Sequence, residues 1–156
     1  MVDVYIKSFN ELINMPLVIP EYQRVYTWNK EKIDKMIADF KEFLDLITYD
    51  EQQYYMGSIL LHEKNQTFNI IDGQQRITSL LLLAIVLQFK TENNYEKPIF
   101  YNNVQSKKRI KQNYDHIKNR YENNSKLVSK DIFKKLCFTV IVTEDVDNAF
   151  TFFDTQ

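Results

Sequence analysis

The stretch NIIDGQQRITSLLLL, residues 69–83, decides how this chain folds. A short apolar run predicts the end of a strand, and Asp72-Gly73 predicts a tight turn. An apolar pattern with helical spacing then continues to about Phe89, which predicts a buried helix. At a strand-to-helix turn the first backbone N–H groups lack helical partners, and the helix dipole favours an anion. The stretch therefore predicts a site for a phosphate-bearing ligand.

Glycine is scarce in this chain. The sequence holds only Gly57 and Gly73, whereas average usage would give about ten. A chain this sparing keeps glycine where backbone geometry or the close approach of a ligand requires it. Gly57 lies in a neighbouring strand pattern, where a β-bulge is the alternative explanation.

The turn also carries side chains suited to phosphate chemistry. Arg76 supplies a planar guanidinium, and Asp72 is placed to hold a metal ion or to activate water. The alternative is an ordinary Asp-Gly turn followed by an exposed arginine. The candidate catalytic residues are Asp72 and Arg76, Asp72 is also the candidate metal ligand, and the candidate ligand-binding residues are Gln23, Arg24, Gly57, Ser58, Gly73, Gln74, Gln75 and Thr78.

A second motif, PEYQRVYTW at residues 20–28, is polar and aromatic without a clear period, which indicates an ordered loop. In one interpretation Arg24 and the aromatic rings line the ligand site. In the other, Tyr26 and Trp28 anchor the core and Arg24 forms an ion pair.

A basic run lies further along the chain, between residues 107 and 120. It is either a helix that contacts nucleic-acid phosphates or a solvated helix face. The candidate nucleic-acid contacts are Lys107, Lys108, Arg109 and Lys111. The net charge of the whole chain is −1, so the domain as a whole has no electrostatic bias toward DNA.

Length and composition predict a single globular domain over residues 1–156. One cysteine, Cys137, excludes an internal disulfide and fits a reducing compartment. No signal-peptide pattern is present, and the apolar run after the turn is too short for a bilayer. We therefore expect a cytoplasmic location without membrane contact.

Periodicity and turn residues predict the secondary structure. Helices are expected over residues 4–15, 30–47, 76–89, 107–121 and 129–136, with another starting at 147. Strands are expected over 17–19, 54–62, 67–71, 98–101 and 137–142. The sequence stops without a helix-stop residue, so we expect it to be the N-terminal fragment of a longer protein.

Several motifs together resemble a known family. IPEYQRVYTW at 19–28, YYMGSILL at 54–61 and IIDGQQRITSLLLL at 70–83 are similar to the GmrS-type domain, whose signature is Asp-Gly-Gln-Gln-Arg. That domain belongs to the ParB/sulfiredoxin-like superfamily. The resemblance covers residues 17–90 well, and the remainder loosely. It implies an α+β fold, with a small mixed sheet flanked by helices.

The resemblance also implies a function. Family members occur in bacterial and archaeal anti-phage systems, including modification-dependent restriction enzymes. There this domain binds and hydrolyses nucleoside triphosphates, and a separate C-terminal HNH-type domain cuts DNA. By motif match, residues 72–76 belong to the nucleotide site, and Gln23 and Arg24 form its partner motif.

We therefore expect nucleoside triphosphate binding and Mg²⁺-assisted hydrolysis that regulates DNA restriction. We expect the nuclease domain to lie in the same chain or in a partner chain, and we expect the full-length protein to contact DNA. The alternatives are a non-catalytic module that senses a nucleotide or modified DNA, and a direct DNA nuclease.

Overall fold

The computed structural model describes residues 2–21, 24–89 and 101–147, which form a five-stranded mixed sheet flanked by helices. This architecture confirms the predicted α+β fold class. In chain order the elements are β1 (Val2–Ser8), α1 (Phe9–Ile13), β2 (Leu17–Val18), α2 (Lys30–Leu46), β3 (Tyr54–Lys64), β4 (Thr67–Asp72), α3 (Gln74–Val86), α4 (Val104–Asn123), a 3₁₀ helix (Lys130–Lys134) and β5 (Leu136–Thr143).

The strands lie in the order β1-β5-β3-β4-β2. The central strands β5 and β3 are parallel, and each has an antiparallel neighbour on its outer side, β1 beside β5 and β4 beside β3. Asn65 and Gln66 connect β3 to β4, both with positive φ, as a tight hairpin turn requires. The hairpin brings Asp72, the last residue of β4, opposite Leu60.

The main core lies between the helices and one face of the sheet. Almost every residue of α3 is buried, which explains its nearly continuous apolar sequence. Alternate residues of β5, such as Phe138 and Val140, enter this core. A small second cluster of Leu60, Ile71 and Ile141 lies outside it, with Val146 packed against it.

The predicted N-terminal helix over residues 4–15 is wrong in its first half. The chain forms a strand to Ser8, and the helix occupies only Phe9–Ile13. The apolar residues Val2, Val4 and Ile6 alternate with the period of a strand. Ser8 and Glu11 form a capping box, which fixes the start of the short helix.

Apart from the strand over 98–101 and the last helix, the other predicted elements are confirmed with shifts at their ends. α2 begins after the side-chain cap of Asn29, and the predicted helix over 129–136 is a 3₁₀ helix capped by Ser129. Residues 98–100 of one predicted strand, and 148–155 of the last predicted helix, lie outside the described residues. Among the described helices, none combines the length and the apolar character needed to cross a membrane.

Candidate functional site: the start of the central helix

Gly73 makes the turn between β4 and α3. Its φ is +107°, a conformation that side-chain-bearing residues rarely adopt. A Cβ here would also overlap the Cδ1 atom of buried Ile59. Because the N-cap is glycine, no cap side chain accepts a hydrogen bond from the first turn of the helix. Position 73 therefore requires glycine for two reasons, the positive φ of the turn and the close packing against Ile59 of β3.

The side chain of Arg76 reaches from the first turn of α3 to a bulge in β3. The register between β3 and β5 shifts between Tyr55 and Ser58, so Gly57 lies in a β-bulge, as one of the sequence interpretations held. The Nη1 atom of Arg76 donates to the Ser58 carbonyl at 3.1 Å. A Cβ on Gly57 would lie 3.2 Å from the same Nη1 atom. Because Gly57 has no side chain, the Arg76 guanidinium can lie directly against the backbone of β3.

Tyr55 belongs to the same corner of the molecule, and the sequence interpretation missed it. Its hydroxyl shares a hydrogen bond of 2.9 Å with the Thr139 hydroxyl of β5. This bond, a second one to Ser58 and the nearby charge of Arg76 lower the pKa of Tyr55. The ring is largely exposed, so a phenol hydroxyl stands beside the arginine at the surface. Its position two residues before Gly57 was the available signal.

Asp72 ends β4 immediately before the turn and its side chain is exposed. Its carboxylate forms no ion pair with any residue that the structure describes. In the described ranges no group of three or more His, Cys, Asp or Glu side chains is arranged to hold a metal ion. A Mg²⁺ ion at Asp72 would thus take most of its ligands from phosphate and water, a common arrangement for this ion.

Gln75 joins the two sequence motifs. Its Oε1 atom accepts from the backbone N–H of Thr27 at 2.8 Å, and its Nε2 atom donates to the Val25 carbonyl at 2.8 Å. Both ends of the amide are therefore engaged by the loop at residues 24–29. The side chain fixes this loop against the start of α3.

Tyr26 anchors the same loop from the inside, as one of the sequence interpretations held. Asn113 Nδ2 donates to the Tyr26 hydroxyl at 2.9 Å, and that hydroxyl lies 2.7 Å from Ser79 Oγ. Since Ser79 donates its own proton to the Gln75 carbonyl, Tyr26 donates to Ser79. Burial raises the pKa of Tyr26, which keeps this hydroxyl protonated. The backbone N–H of Tyr26 donates to Ser106 Oγ at 2.8 Å.

The remaining candidate residues differ in accessibility. Arg24 is exposed, whereas Gln74 is only 4% exposed. Thr78 has no exposed surface, and its hydroxyl lies 3.1 Å from that of Tyr101. Burial raises the pKa of Tyr101 to about 12, so this pair is a neutral, buried contact. Gln23 lies outside the described residues.

The basic helix α4 packs beside this loop. Lys107, Lys108 and Lys111 are exposed, and Lys111 pairs with Asp115 one turn further on at 3.0 Å. Arg109 is partly buried, and its charge acts on the Tyr26 hydroxyl. The N-terminal half of α4 therefore presents its positive charge next to the residue 24–29 loop.

The structure brings most of the predicted residues into one neighbourhood. Asp72, Gly73 and Arg76 surround the start of α3, Gly57 and Ser58 support the arginine, and Gln75 attaches the loop. The class of protein that follows is an α+β domain in which a glycine turn joins a strand of the mixed sheet to the central buried helix.

Comparison with known proteins gives the family. The model of the family described as GmrSD restriction endonuclease, N-terminal domain, matches residues 6–156, and the chain belongs to that family. This membership marks it as a restriction- or defence-related protein, as the sequence resemblance implied. No match was found among curated proteins.

Proposed function

We propose that this domain binds a nucleoside triphosphate with its phosphates at the start of α3, and that Mg²⁺-assisted hydrolysis of this nucleotide regulates DNA restriction. One observation carries the proposal. Arg76 lies in the first turn of α3, where the helix dipole is already positive, and it has no carboxylate partner among the described residues.

A cation in the first turn of a helix is normally unfavourable, because it adds to the positive end of the dipole. Arg76 is nevertheless held in place by the Ser58 carbonyl and by contact with Gly57. That carbonyl engages only one guanidinium nitrogen, so other N–H groups remain for phosphate oxygens. A bound polyphosphate would neutralise both the arginine and the helix end.

The two glycines and Asp72 support the same proposal. Glycine at the N-cap lets a ligand approach the backbone N–H groups closely. Mg²⁺ would supply neutralisation of phosphate charge when bound, with Asp72 as its one protein carboxylate. Asp72 would also orient the attacking water.

The structure suggests indirect roles for two further residues. The amide of Gln75 is engaged by the loop, and Thr78 is buried against Tyr101. We therefore propose that they shape the site rather than touch the nucleotide. Arg24 is exposed on the loop that Gln75 holds, and we propose that it contacts the outer phosphates.

DNA contact is the second part of the proposal. Lys107, Lys108 and Lys111 form an exposed basic stripe beside the loop that Gln75 fixes, which favours phosphate-backbone contact in the full-length protein. Cleavage would then belong to an HNH-type nuclease domain in the same or a partner chain. A module that only senses a nucleotide or modified DNA would bind without hydrolysis, and a direct nuclease would cut DNA with this chain alone.

The test combines binding and turnover. We expect ATP or GTP with Mg²⁺ to raise the melting temperature of the wild-type chain and to release phosphate. Asp72→Asn should keep the shift and lose most of the phosphate release. Asp45→Asn, at an exposed position of α2, is the matched control and should behave as wild type.

Three outcomes would count against parts of the proposal. Absence of a shift with every triphosphate contradicts the nucleotide site. A shift without phosphate release favours the sensing module. DNA cleavage by this chain alone, abolished by Asp72→Asn, favours the direct nuclease.

A further inference from the structure

The two edges of the sheet are built differently. β2 has only two residues, and Pro16 and Pro20 flank it closely, so little of that edge can accept another strand. β1 has seven residues, pairs with β5 in an unbroken register and contains neither proline nor glycine. Its outer edge is not paired with any described strand. Such an edge is able to accept another strand.

β1 also exposes apolar side chains. Val2, Val4 and Ile6 are 44%, 61% and 68% exposed. The register with β5 places Val4 beside Ile141 and Ile6 beside Thr139, so the three side chains form one row on one face of the sheet. Exposed aliphatic side chains in a row along an open edge are unfavourable for a strand that stays alone.

The opposite row of β1 carries charge in a self-complementary order. Asp3, Tyr5 and Lys7 alternate with the apolar row, and Lys7 lies over the Tyr5 ring at 5.1 Å from its centroid. In an antiparallel pair of two β1 strands centred on Tyr5, Asp3 of each copy faces Lys7 of the other. Opposite charges directly across an antiparallel pair are stabilising.

We propose that β1 pairs antiparallel with β1 of a second copy of this chain, in the register centred on Tyr5. The two sheets then join into one continuous sheet. In this register Val4 of each copy packs beside Ile6 of the other on one face of the joined sheet. The interface is two-fold symmetric, as most homodimer interfaces are. A single strand pair is a small interface, so we expect a weak dimer that forms only as the protein concentration rises.

Charge-reversal variants distinguish this dimer from the alternative, in which the charges of β1 prevent the edge from pairing with another strand. Analytical ultracentrifugation of the wild-type chain at rising concentration should show monomer converting to dimer. Asp3→Lys places lysine opposite Lys7 and should weaken the dimer at least about tenfold. Lys7→Asp should do the same. The double variant Asp3→Lys/Lys7→Asp restores opposite charges and should restore the dimer. Asp45→Lys on α2 is the control for an equal change of net charge.

Cross-linking tests the register itself. Tyr5 of the two copies would have Cα atoms about 4.5–5.5 Å apart, within the range of a disulfide. The two Asp3 residues would lie about 13 Å apart along the strands, beyond that range. In a Cys137→Ala background, which removes the native thiol, Tyr5→Cys should form a disulfide dimer under mild oxidation and Asp3→Cys should not.

Each result decides the proposal. A chain that remains monomeric at the highest concentration that ultracentrifugation can reach overturns it. So does a dimer that Asp3→Lys and Lys7→Asp leave unchanged, because another surface must then hold it. Equal cross-linking at positions 3 and 5 overturns the register. Recovery of the dimer in the charge-swapped double variant supports it.

Discussion

Gln75 and Thr27 are joined by a hydrogen bond of 2.8 Å from the Thr27 backbone N–H to the Gln75 side-chain oxygen. The two residues come from separate sequence motifs, one in the loop before α2 and one in the first turn of α3. The other end of the same amide donates to Val25. A change at Gln75 should therefore alter the loop as well as the helix start.

Replacing Gln75 by alanine removes both bonds to the loop. We expect a loss of about 1–3 kcal/mol in the free energy of unfolding, because two neutral hydrogen bonds disappear and the backbone groups at Val25 and Thr27 lose their partner. Urea unfolding measures the stability, and amide exchange at Thr27 should accelerate. Gln53→Ala, at an exposed position before β3, should change neither.

Removing the Tyr26 hydroxyl tests the buried network behind the loop. Tyr26→Phe keeps the ring but removes the link between Asn113 and Ser79. We expect this substitution to lower the free energy of unfolding by about 1–2 kcal/mol. Asn113 retains its bond to the Trp28 carbonyl and Ser79 its bond to the Gln75 carbonyl, so the fold should persist. An unchanged unfolding midpoint would show that the hydroxyl contributes nothing.

The two glycines should respond differently to alanine. Gly73→Ala combines a positive φ with a clash against buried Ile59, so we expect a loss of about 2–4 kcal/mol. At Gly57 the neighbour is the flexible end of Arg76, so we expect Gly57→Ala to lower the free energy of unfolding by only about 1–2 kcal/mol. Gly57→Ala should also displace the guanidinium of Arg76 and thereby weaken nucleotide binding. Thermal unfolding and nucleotide titration of both variants separate the two effects.

Asp34 links α2 to α4 and should give stability a pH dependence. Burial alone would raise its pKa, but hydrogen bonds from His116 and Arg120, both 2.7 Å long, outweigh burial and lower it. Because the pKa is lowered, ionised Asp34 stabilises the fold at pH values above its unfolded pKa of 3.8. This stabilisation is lost as the pH falls through the pKa of Asp34 in the folded protein.

Wild type should therefore exceed Asp34→Asn in stability near neutral pH, and the difference should fade in acid. Because the carboxylate is 45% exposed, solvent screening limits the difference to about 1 kcal/mol. Chemical unfolding between about pH 2 and 7 measures it. A difference that stays constant over this range would contradict the assignment.

The sequence predicted the strand, turn and helix around Gly73 because local signals agree there. A short apolar run ends at an Asp-Gly turn, and a long apolar helix follows. The prediction for the N-terminal segment fails because its short alternation runs directly into a helical pattern after Ser8. The capping box at Ser8 and Glu11 marks the point where the strand ends and the helix begins.

The supporting contacts of the site could not be predicted from local pattern. The bond from Asn113 to Tyr26 spans 87 positions, and the bond from Thr27 to Gln75 spans 48. Such pairs depend on how α3 and α4 pack around the loop. Arg76 was identified by its type and place, whereas its dependence on the bulge at Gly57 required the structure.

Calorimetric titration of ATP and GTP into the Arg76→Ala variant, in the presence of Mg²⁺, tests the central claim most directly. The wild-type chain should bind at least one of them, and Arg76→Ala should weaken that binding at least about tenfold, as expected for the loss of charge-assisted bonds to phosphate. Lys64→Ala, at an exposed position of β3, is the control and should match wild type. Equal affinity of wild type and Arg76→Ala would contradict a phosphate site at the start of α3.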